Sequence, residues 1–450
     1  MFSLQKPNIR QSPIVILSYI GNFLNENDRN TWCQVSSEFK NVMLSGITHI
    51  HNYNPNKLPL AMLPNTINII HIYEYYNQPI LLPNNLTDLH MGNKFNQPIL
   101  LPNNLTNLHM GYDFNIKIKL PNNLKEFHMG HSFNRKIKLP NNLKEFHMGN
   151  SFNRKIQLPN NLKEFHMGHS FNRKIKLNNG MKVLYMGNKF NKKIILPEGL
   201  EGLYMGDQFN QKIKLPNSLK ICIMGKQFNR NILLPPRLTE LRMGRKFNKY
   251  VNLPNLNVLE TGFVFNKPIT IPHTLEVLYM GMSFNQPIVL PSTLKSLYTN
   301  FAFNQPIILP PNLTYFNMGY VFNHSIILPN NLEYFRMGVL FNKPIDLTHK
   351  LKKLYIGNDF NQPIKLPYTL EELHLGNSFN QPINLPKTLV ELHMGNSFNQ
   401  AVNLPYKLNV IRMGNSFNHP IEITPNLKIV YIGIAFPYYI KHEPNLKIYR

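Results

Sequence analysis

The sequence predicts a β-solenoid of about 20 repeats, here called rungs, in which each rung contributes one short strand to a parallel sheet. The first observation is a Phe-Asn pair that recurs every 19 residues from Phe95 to Phe247 and, after one step of 18 residues, again from Phe265 to Phe417. The second is that each period ends in alternating apolar and polar residues, as a half-buried strand does. The third is Pro140 and its equivalents, which interrupt any helix between successive strands.

The rung at residues 133–151, FNRKIKLPNNLKEFHMGNS, shows the conserved layout of the repeat within this chain. Six of its positions are apolar in most rungs, and they are occupied by Phe, Ile, three Leu or Phe, and Met. We expect these side chains to form one continuous core, because no single rung can bury its own apolar face. The Asn after Phe, such as Asn134, is expected to bond the backbone of a neighbouring rung. The Gly after Met, such as Gly149, is expected either to take a positive φ or to allow two backbones to approach closely.

One rung is a residue shorter than the others. Pro254-Asn255-Leu256 has one residue between Pro and Leu, where Pro197-Glu198-Gly199-Leu200 has two. Because deletions are tolerated in turns, we expect the strands on both sides to keep their register. The same rung has Thr261 in place of Met and Glu260 at the outward position, so we predict that it is the weakest point of the array.

Rungs such as Phe284-Asn285-Gln286-Pro287-Ile288 resemble the FNIP repeat, a short relative of the leucine-rich repeat that is abundant in slime moulds and in giant viruses of amoebae. The resemblance covers residues 46–450, about 90% of the chain. It implies a leucine-rich-repeat-like parallel β horseshoe. It also implies a role in scaffolding and partner binding, for which the family is mainly known.

Residues 1–45 lie outside the repeat and predict a small helical segment. Ile16, Leu17, Ile20 and Leu24 have the spacing of one helix face, and Asp28 can cap a second helix. One interpretation is a cap that covers the open end of the core, which repeat arrays need.

The same segment also resembles the F-box family. Pro13 matches the leading Pro of that family, and the apolar positions of its first helix match Leu17, Ile20 and Leu24. Val35-Ser36 and Phe39-Lys40 match its closing Val-Ser and aromatic-basic pairs. The resemblance implies that Pro13, Leu17, Ile20 and Leu24 bind a Skp-family adaptor of a cullin complex. F-box proteins with FNIP repeats are a familiar combination in the viruses and amoebae named above.

The composition favours a folded protein inside a cell. Apolar residues make up 43% of the chain, and 48 Lys+Arg against 23 Asp+Glu give a net charge of +25, which suits either an anionic partner or a solvated lysine-rich surface. Cys33 and Cys222 are the only cysteines, which favours a reducing compartment over a disulfide framework. The apolar segment 13–24 is too short to span a membrane. We therefore expect the cytoplasm of a cell or host, with no membrane partner.

One residue in each strand is predicted to point outward from the concave face of the sheet. These positions are mainly His, Tyr and Arg, planar groups that stack on adjacent rungs and are common at binding hot spots. Alternatively, nearly identical rungs keep His through duplication alone. A metal site is not expected, because parallel rungs supply a line of imidazoles without tetrahedral closure. The candidate target-binding residues are His90, His109, His128, His147, His166, Tyr185, Tyr204, Arg242, Tyr279 and Tyr298.

The sequence carries no Gly-rich phosphate loop, nucleophile elbow or H-E-x-x-H motif, so we expect no enzyme activity and no cofactor. Glu126, Glu145 and Glu164 recur on one face, but each follows a Lys, which favours a solvated charge ladder. The first hypothesis is a substrate receptor of a ubiquitin ligase, in which the F-box docks the adaptor and the concave face binds a target protein. The alternative is a protein- or nucleic-acid-binding scaffold whose amino-terminal helices act only as a cap. Pairs such as Arg135-Lys136 lie away from the outward rings, which argues against nucleic acid.

Overall fold

The structure, a computed structural model, describes residues 49–56, 66–440 and 445–449. The chain divides into two compact halves, an N-terminal half, Met1–Pro216, and a C-terminal half, Asn217–Arg450. The predicted F-box, residues 1–45, lies outside the described residues. Its helices, and the adaptor-binding roles of Pro13, Leu17, Ile20 and Leu24, therefore stay predictions.

The N-terminal half is a stack of rungs joined by a parallel sheet. The first two strands pair with a register shift between Ile50 and Tyr53, and each later strand pairs in register with the next, so that Phe146 lies beside Phe165 and His147 beside His166. Its strands are β1 (His49–Tyr53), β2 (Ile69–Ile72), β3 (Asp88–His90), β4 (Asn107–His109), β5 (Glu126–His128), β6 (Glu145–His147), β7 (Glu164–His166), β8 (Val183–Tyr185) and β9 (Gly202–Tyr204).

The C-terminal half repeats the same architecture, with parallel strands paired in register, for example Leu278 beside Leu297. Its strands are β10 (Ile221–Ile223), β11 (Glu240–Arg242), β12 (Val258–Glu260), β13 (Val277–Tyr279), β14 (Ser296–Tyr298), β15 (Tyr315–Asn317), β16 (Tyr334–Arg336), β17 (Lys353–Tyr355), β18 (Glu372–His374), β19 (Glu391–His393), β20 (Val410–Arg412), β21 (Ile429–Tyr431) and β22 (Lys447–Tyr449).

The rest of each rung is turn and extended chain, and the described residues contain no helix. The prediction of one short parallel strand per rung is thus confirmed. Among the residues described, none forms a helix of the length and hydrophobicity that crossing a bilayer requires.

The core of each half consists of side-chain ladders that run from rung to rung. In the rung at residues 133–151, Phe133, Leu143 and Phe146 are fully buried, and Met148 is 6% exposed. Ile137 is only half-buried, so the expectation that all six apolar positions are core is wrong for this one in this rung. The Ile sits on the extended return of the rung, between the exposed Lys136 and Lys138.

The Asn after Phe forms a hydrogen-bonded ladder along the stack, as predicted. The backbone N–H of Asn134 donates to the Oδ1 of Asn115 over 3.0 Å, and the N–H of Asn153 donates to the Oδ1 of Asn134 over 3.2 Å. A second ladder lies in the Pro-Asn-Asn turn, where the Nδ2 of Asn142 donates to the carbonyl of Asn122 over 3.0 Å. These bonds satisfy backbone groups that the bends leave unpaired.

The Gly after Met allows two backbones to approach closely. A Cβ on Gly149 would lie 2.1 Å from the carbonyl oxygen of Gly130 in the preceding rung, much closer than any real Cβ contact. Gly149 does not have a positive φ, so of the two roles that the sequence suggested only close approach applies here.

The shortened rung keeps its register within the C-terminal half. The N–H of Leu256 donates to the carbonyl of Pro254 over 2.8 Å, which closes a tighter turn. Val258, Leu259 and Glu260 then pair with β11 on one side and β13 on the other without a shift. The hydroxyl of Thr261 accepts a 2.6 Å bond from the N–H of Gly281, a polar contact that Met cannot make.

Ring spacings show on which side of the stack the strands lie. In the N-terminal half, adjacent outward rings are 3.8 to 4.1 Å apart between centroids, whereas adjacent Phe rings of the core ladder from Phe95 to Phe209 are 6.1 to 6.5 Å apart. Parallel strands are about 4.8 Å apart, between these values. The rungs therefore fan apart behind the sheet, and the strand side chains lie on the inner side of the local curvature. In the C-terminal half the same contrast holds between Tyr279 and Tyr298, at 4.2 Å, and the core pair Phe265 and Phe284, at 6.1 Å.

Candidate functional site

The outward residues of the strands form the candidate site, here called the strand face. Within β5, Glu126 and His128 are half-exposed while Phe127 between them is fully buried, as strand alternation requires. The first and third residues of each short strand therefore belong to the strand face, and the second belongs to the core.

Eight rings stack continuously on the strand face of the N-terminal half. Adjacent rings lie 3.8 to 4.1 Å apart and nearly parallel, within 18°. This ring stack therefore brings together seven of the predicted site residues. Its members are His71, His90, His109, His128, His147, His166, Tyr185 and Tyr204.

A carboxylate beside the ring stack orients several of its imidazoles. The Nε2 of His128 lies 2.8 Å from the Oε1 of Glu126, and the same bond is 2.7 Å long from His147 to Glu145. These carboxylates therefore bond histidines while about a third of each stays exposed, a contact that the expectation of a solvated charge ladder did not include. The sequence did contain the signal, because residues two apart in a strand share a face.

Burial and mutual repulsion keep part of the ring stack uncharged. Burial, followed by the neighbouring His128, lowers the pKa of His109 to about 3. Burial is also the main cause that lowers the pKa of His71 to about 4. The pKa of His128 is lowered by burial and then by His147, although its bond to Glu126 acts in the opposite direction. His71 and His109 are therefore neutral at neutral pH and present flat, uncharged rings.

The His and carboxylate side chains come close enough to be considered as metal ligands. In the described residues, one such group is His109, Glu126 and His128, and a second is His374, Glu391 and His393, with ligand atoms within 4.8 Å of one another. The rings of His109 and His128, however, stack at 18°, so their nitrogen lone pairs run side by side. To bind one ion, a ring would have to rotate off its neighbour and lose its stacking.

The strand face of the C-terminal half is more varied. Arg242 bonds Glu240 over 2.8 Å and lies 3.8 Å from Glu260, so this predicted site residue is engaged in a local ion pair. Tyr279 and Tyr298 stack at 4.2 Å. Further along, the guanidinium of Arg412 lies 4.0 Å above the ring of Tyr431.

Part of the positive charge forms a row of lysines beside the first residues of successive strands in the N-terminal half. Lys125, Lys144 and Lys163 each precede a strand and, with Asn side chains of the Pro-Asn-Asn turns, line a shallow groove of about 420 Å³. None of the three has a carboxylate within ion-pair distance among the described residues, since the neighbouring Glu side chains pair with histidines. This groove is open to solvent, and no residue of the ring stack lines it.

These features define a leucine-rich-repeat-like β-solenoid that presents a surface of strand side chains. The comparison with protein families gives a more specific result. The FNIP repeat family matches residues 95–132, 133–170, 190–227, 209–246, 265–301, 303–339, 341–378 and 360–397. Because these matches cover more than half of the chain, the chain belongs to the FNIP repeat family.

Two solved structures agree with this assignment. The crystal structure of CroV588, described as a novel circular LRR protein, is 34% identical, with a TM-score of 0.70, and the alignment covers 89% of this chain and 69% of that one. YopM from Yersinia enterocolitica WA-314 has a TM-score of 0.50 at 17% identity, over 85% of this chain and 91% of that one, which shows a shared fold alone. A sequence comparison with curated proteins found no significant match. The predicted FNIP solenoid is confirmed, whereas the F-box and the viral or slime-mould source stay predictions.

Proposed function

We propose that the protein is a non-catalytic scaffold whose strand face binds another protein. The observation that carries this proposal is the ring stack from His71 to Tyr204, which the core does not require. The Phe, Leu and Met ladders already fill the interior, yet a His or Tyr ring occupies the third residue of every strand from β2 to β9. A half-exposed surface of stacked rings offers large contact area at little cost in side-chain entropy.

The more specific form of the proposal is a substrate receptor of a cullin-based ubiquitin ligase in the cytoplasm. In this form, Pro13, Leu17, Ile20 and Leu24 of an F-box dock a Skp-family adaptor, and the strand face binds the protein to be modified. Its support is the resemblance of residues 1–45 to the F-box family, together with membership of the FNIP repeat family. The chain itself performs no chemistry and needs no cofactor, because catalysis belongs to other subunits of the ligase.

Two variants of the full chain separate the adaptor-binding function from target binding. Pro13→Ala with Leu17→Asp should abolish binding of purified Skp-family adaptor and leave the circular dichroism of the solenoid unchanged. His128→Ala, His147→Ala and His166→Ala together should weaken target capture from amoebal lysate and leave adaptor binding intact.

The opposite outcomes are equally clear. If the double variant at residues 13 and 17 unfolds the solenoid, residues 1–45 act as a cap and the ligase proposal fails. If the triple His variant captures the same proteins at the same yield, the ring stack is not the binding surface. If capture by the unaltered chain is abolished by nuclease, the partner is a nucleic acid.

A further inference from the structure

Five consecutive rungs of the C-terminal half depart from the repeat at the same place. The residue after the recurring Gly, a Gly that is replaced by Asn300 in one of the five rungs, is polar in the rungs immediately before and after them, at Arg245 and Asn358. In the five rungs between, it is apolar or aromatic. This rim row consists of Phe263, Met282, Phe301, Tyr320 and Val339.

The three aromatic residues of the rim row are exposed to solvent, and Met282 and Val339 are half-buried. Phe263 is 40% exposed, Phe301 45% and Tyr320 42%, and the rings of Phe301 and Tyr320 stack at 4.8 Å. The core does not need these side chains, since a polar residue occupies the position in the flanking rungs. Elsewhere in the described rungs the residue after Gly is aromatic or apolar at Tyr112 and Ile434, which are isolated cases, so five adjacent exceptions indicate a local function.

The rim row borders the strand face, and together they line one cleft of about 480 Å³. Tyr279 and Tyr298 line it from the strand face, and all five residues of the rim row line it as well. Thr261 and Thr299 replace the Met of other rungs and also line the cleft, where their shorter side chains leave more space. The hydroxyl of Thr299 accepts a 2.6 Å bond from the N–H of Gly319, which secures the altered rung.

The charges at the cleft indicate what kind of partner fits it. Glu260 lies 3.8 Å from Arg242, so its charge is already countered. Arg336 also lines the cleft, is exposed, and makes no ion pair with any residue that the structure describes. The cleft therefore offers apolar and aromatic walls with one uncompensated cation.

We propose that this cleft binds an extended segment of another protein that carries apolar or aromatic side chains and one carboxylate, which pairs with Arg336. The strands β12 to β16 are about 4.8 Å apart, so the cleft spans about 19 Å, the length of about six extended residues. A single cation suits one carboxylate, whereas a nucleic acid of that length would present several phosphates. The inference rests on the proposed protein-binding function and assigns its contact site and partner chemistry.

The test uses a library of random dodecapeptides displayed on phage and selected on the full chain. Phe301→Ser with Tyr320→Ser serves as the counter-selection bait. We expect selected peptides to share apolar or aromatic residues and an Asp or Glu. A labelled synthetic peptide, measured by fluorescence anisotropy, should bind the Phe301→Ser and Tyr320→Ser chain at least about tenfold more weakly.

Two further variants keep the test independent of folding defects. Arg336→Glu changes an exposed charge and should weaken binding about tenfold, the loss of one charge-assisted bond. A peptide whose acid is changed to Lys should regain affinity for the Arg336→Glu chain. Ile308→Ser is the matched control, because Ile308 is an apolar residue of the same rungs that is 90% exposed but does not line the cleft.

Several results would overturn the inference. Peptides that bind all these variants equally, or that show no preference for an acid, would exclude the site. Self-association of the unaltered chain in analytical ultracentrifugation that Phe301→Ser abolishes would make a second copy the occupant. If the peptides instead lose affinity for the triple variant at His128, His147 and His166, the cleft is excluded while the proposed strand-face function stands.

Discussion

Replacing Phe152 by alanine tests whether the Phe ladder holds the N-terminal half together. Phe152 is fully buried, and its ring stacks 6.5 Å from both Phe133 and Phe171. The substitution removes the ring and leaves a cavity between two rungs that cannot collapse without breaking the Asn ladder beside it. For a buried Phe the expected cost is about 3 to 5 kcal/mol.

The loss should be local as well as large, because a rung of a solenoid contacts only its neighbours. We expect a lower urea midpoint for the N-terminal half by circular dichroism. Hydrogen exchange should show the earliest loss of protection in the rungs that contain Phe133, Phe152 and Phe171. The control is Ile195→Ala, which truncates an apolar residue that is 90% exposed and should change stability by less than about 0.5 kcal/mol. Equal unfolding of Phe152→Ala and the unaltered chain would refute the core assignment.

Three further predictions follow from the ladders. Gly149→Ala should lower the melting temperature, because its Cβ would lie 2.1 Å from the Gly130 carbonyl oxygen. Gly199→Ala is the control and should leave the melting temperature unchanged, because its Cβ would lie 3.6 Å from the nearest atom. Similar shifts for both variants would contradict this. Asn134→Ala removes the acceptor of the Asn153 N–H and should lower the free energy of unfolding in urea by about 1 kcal/mol. An unchanged free energy of unfolding would contradict this. Burial lowers the pKa of His109 to about 3, so as the pH falls His109 is protonated in the unfolded chain before it is protonated in the folded chain. Stability should therefore fall as the pH drops from about 6.5 towards 4, and less steeply in His109→Tyr; an identical slope in that variant would contradict the assigned cause.

Most of the fold can be predicted from the sequence because one period fixes it. The 19-residue spacing places each strand beside its equivalent, and the register of Phe146 beside Phe165 follows directly. The burial of Ile137 was overestimated, because apolar character alone does not reveal how far the rest of the rung covers a residue of the return. A ladder in a solenoid is core only where other parts of the rung cover it.

The candidate site was predicted in outline but not in its contacts. The outward column from His90 to Tyr204 follows from strand alternation. The bond from His128 to Glu126 required the side-chain directions, although residues two apart share a strand face. The rim row at Phe263 and Phe301 was missed, because the sequence does not show that the residue after Gly borders the strand face.

The most direct test of a protein-binding strand face is position-resolved photo-crosslinking of the full chain in cells. A photoreactive phenylalanine analogue is placed singly at His147 and Tyr279 on the strand face, and at Lys138 and Ile308 on the exposed return of the rungs. The account predicts protein adducts of defined mass from the two strand-face positions and not from the two return positions. Adducts of equal yield from the return positions, or adducts that nuclease removes, would contradict it.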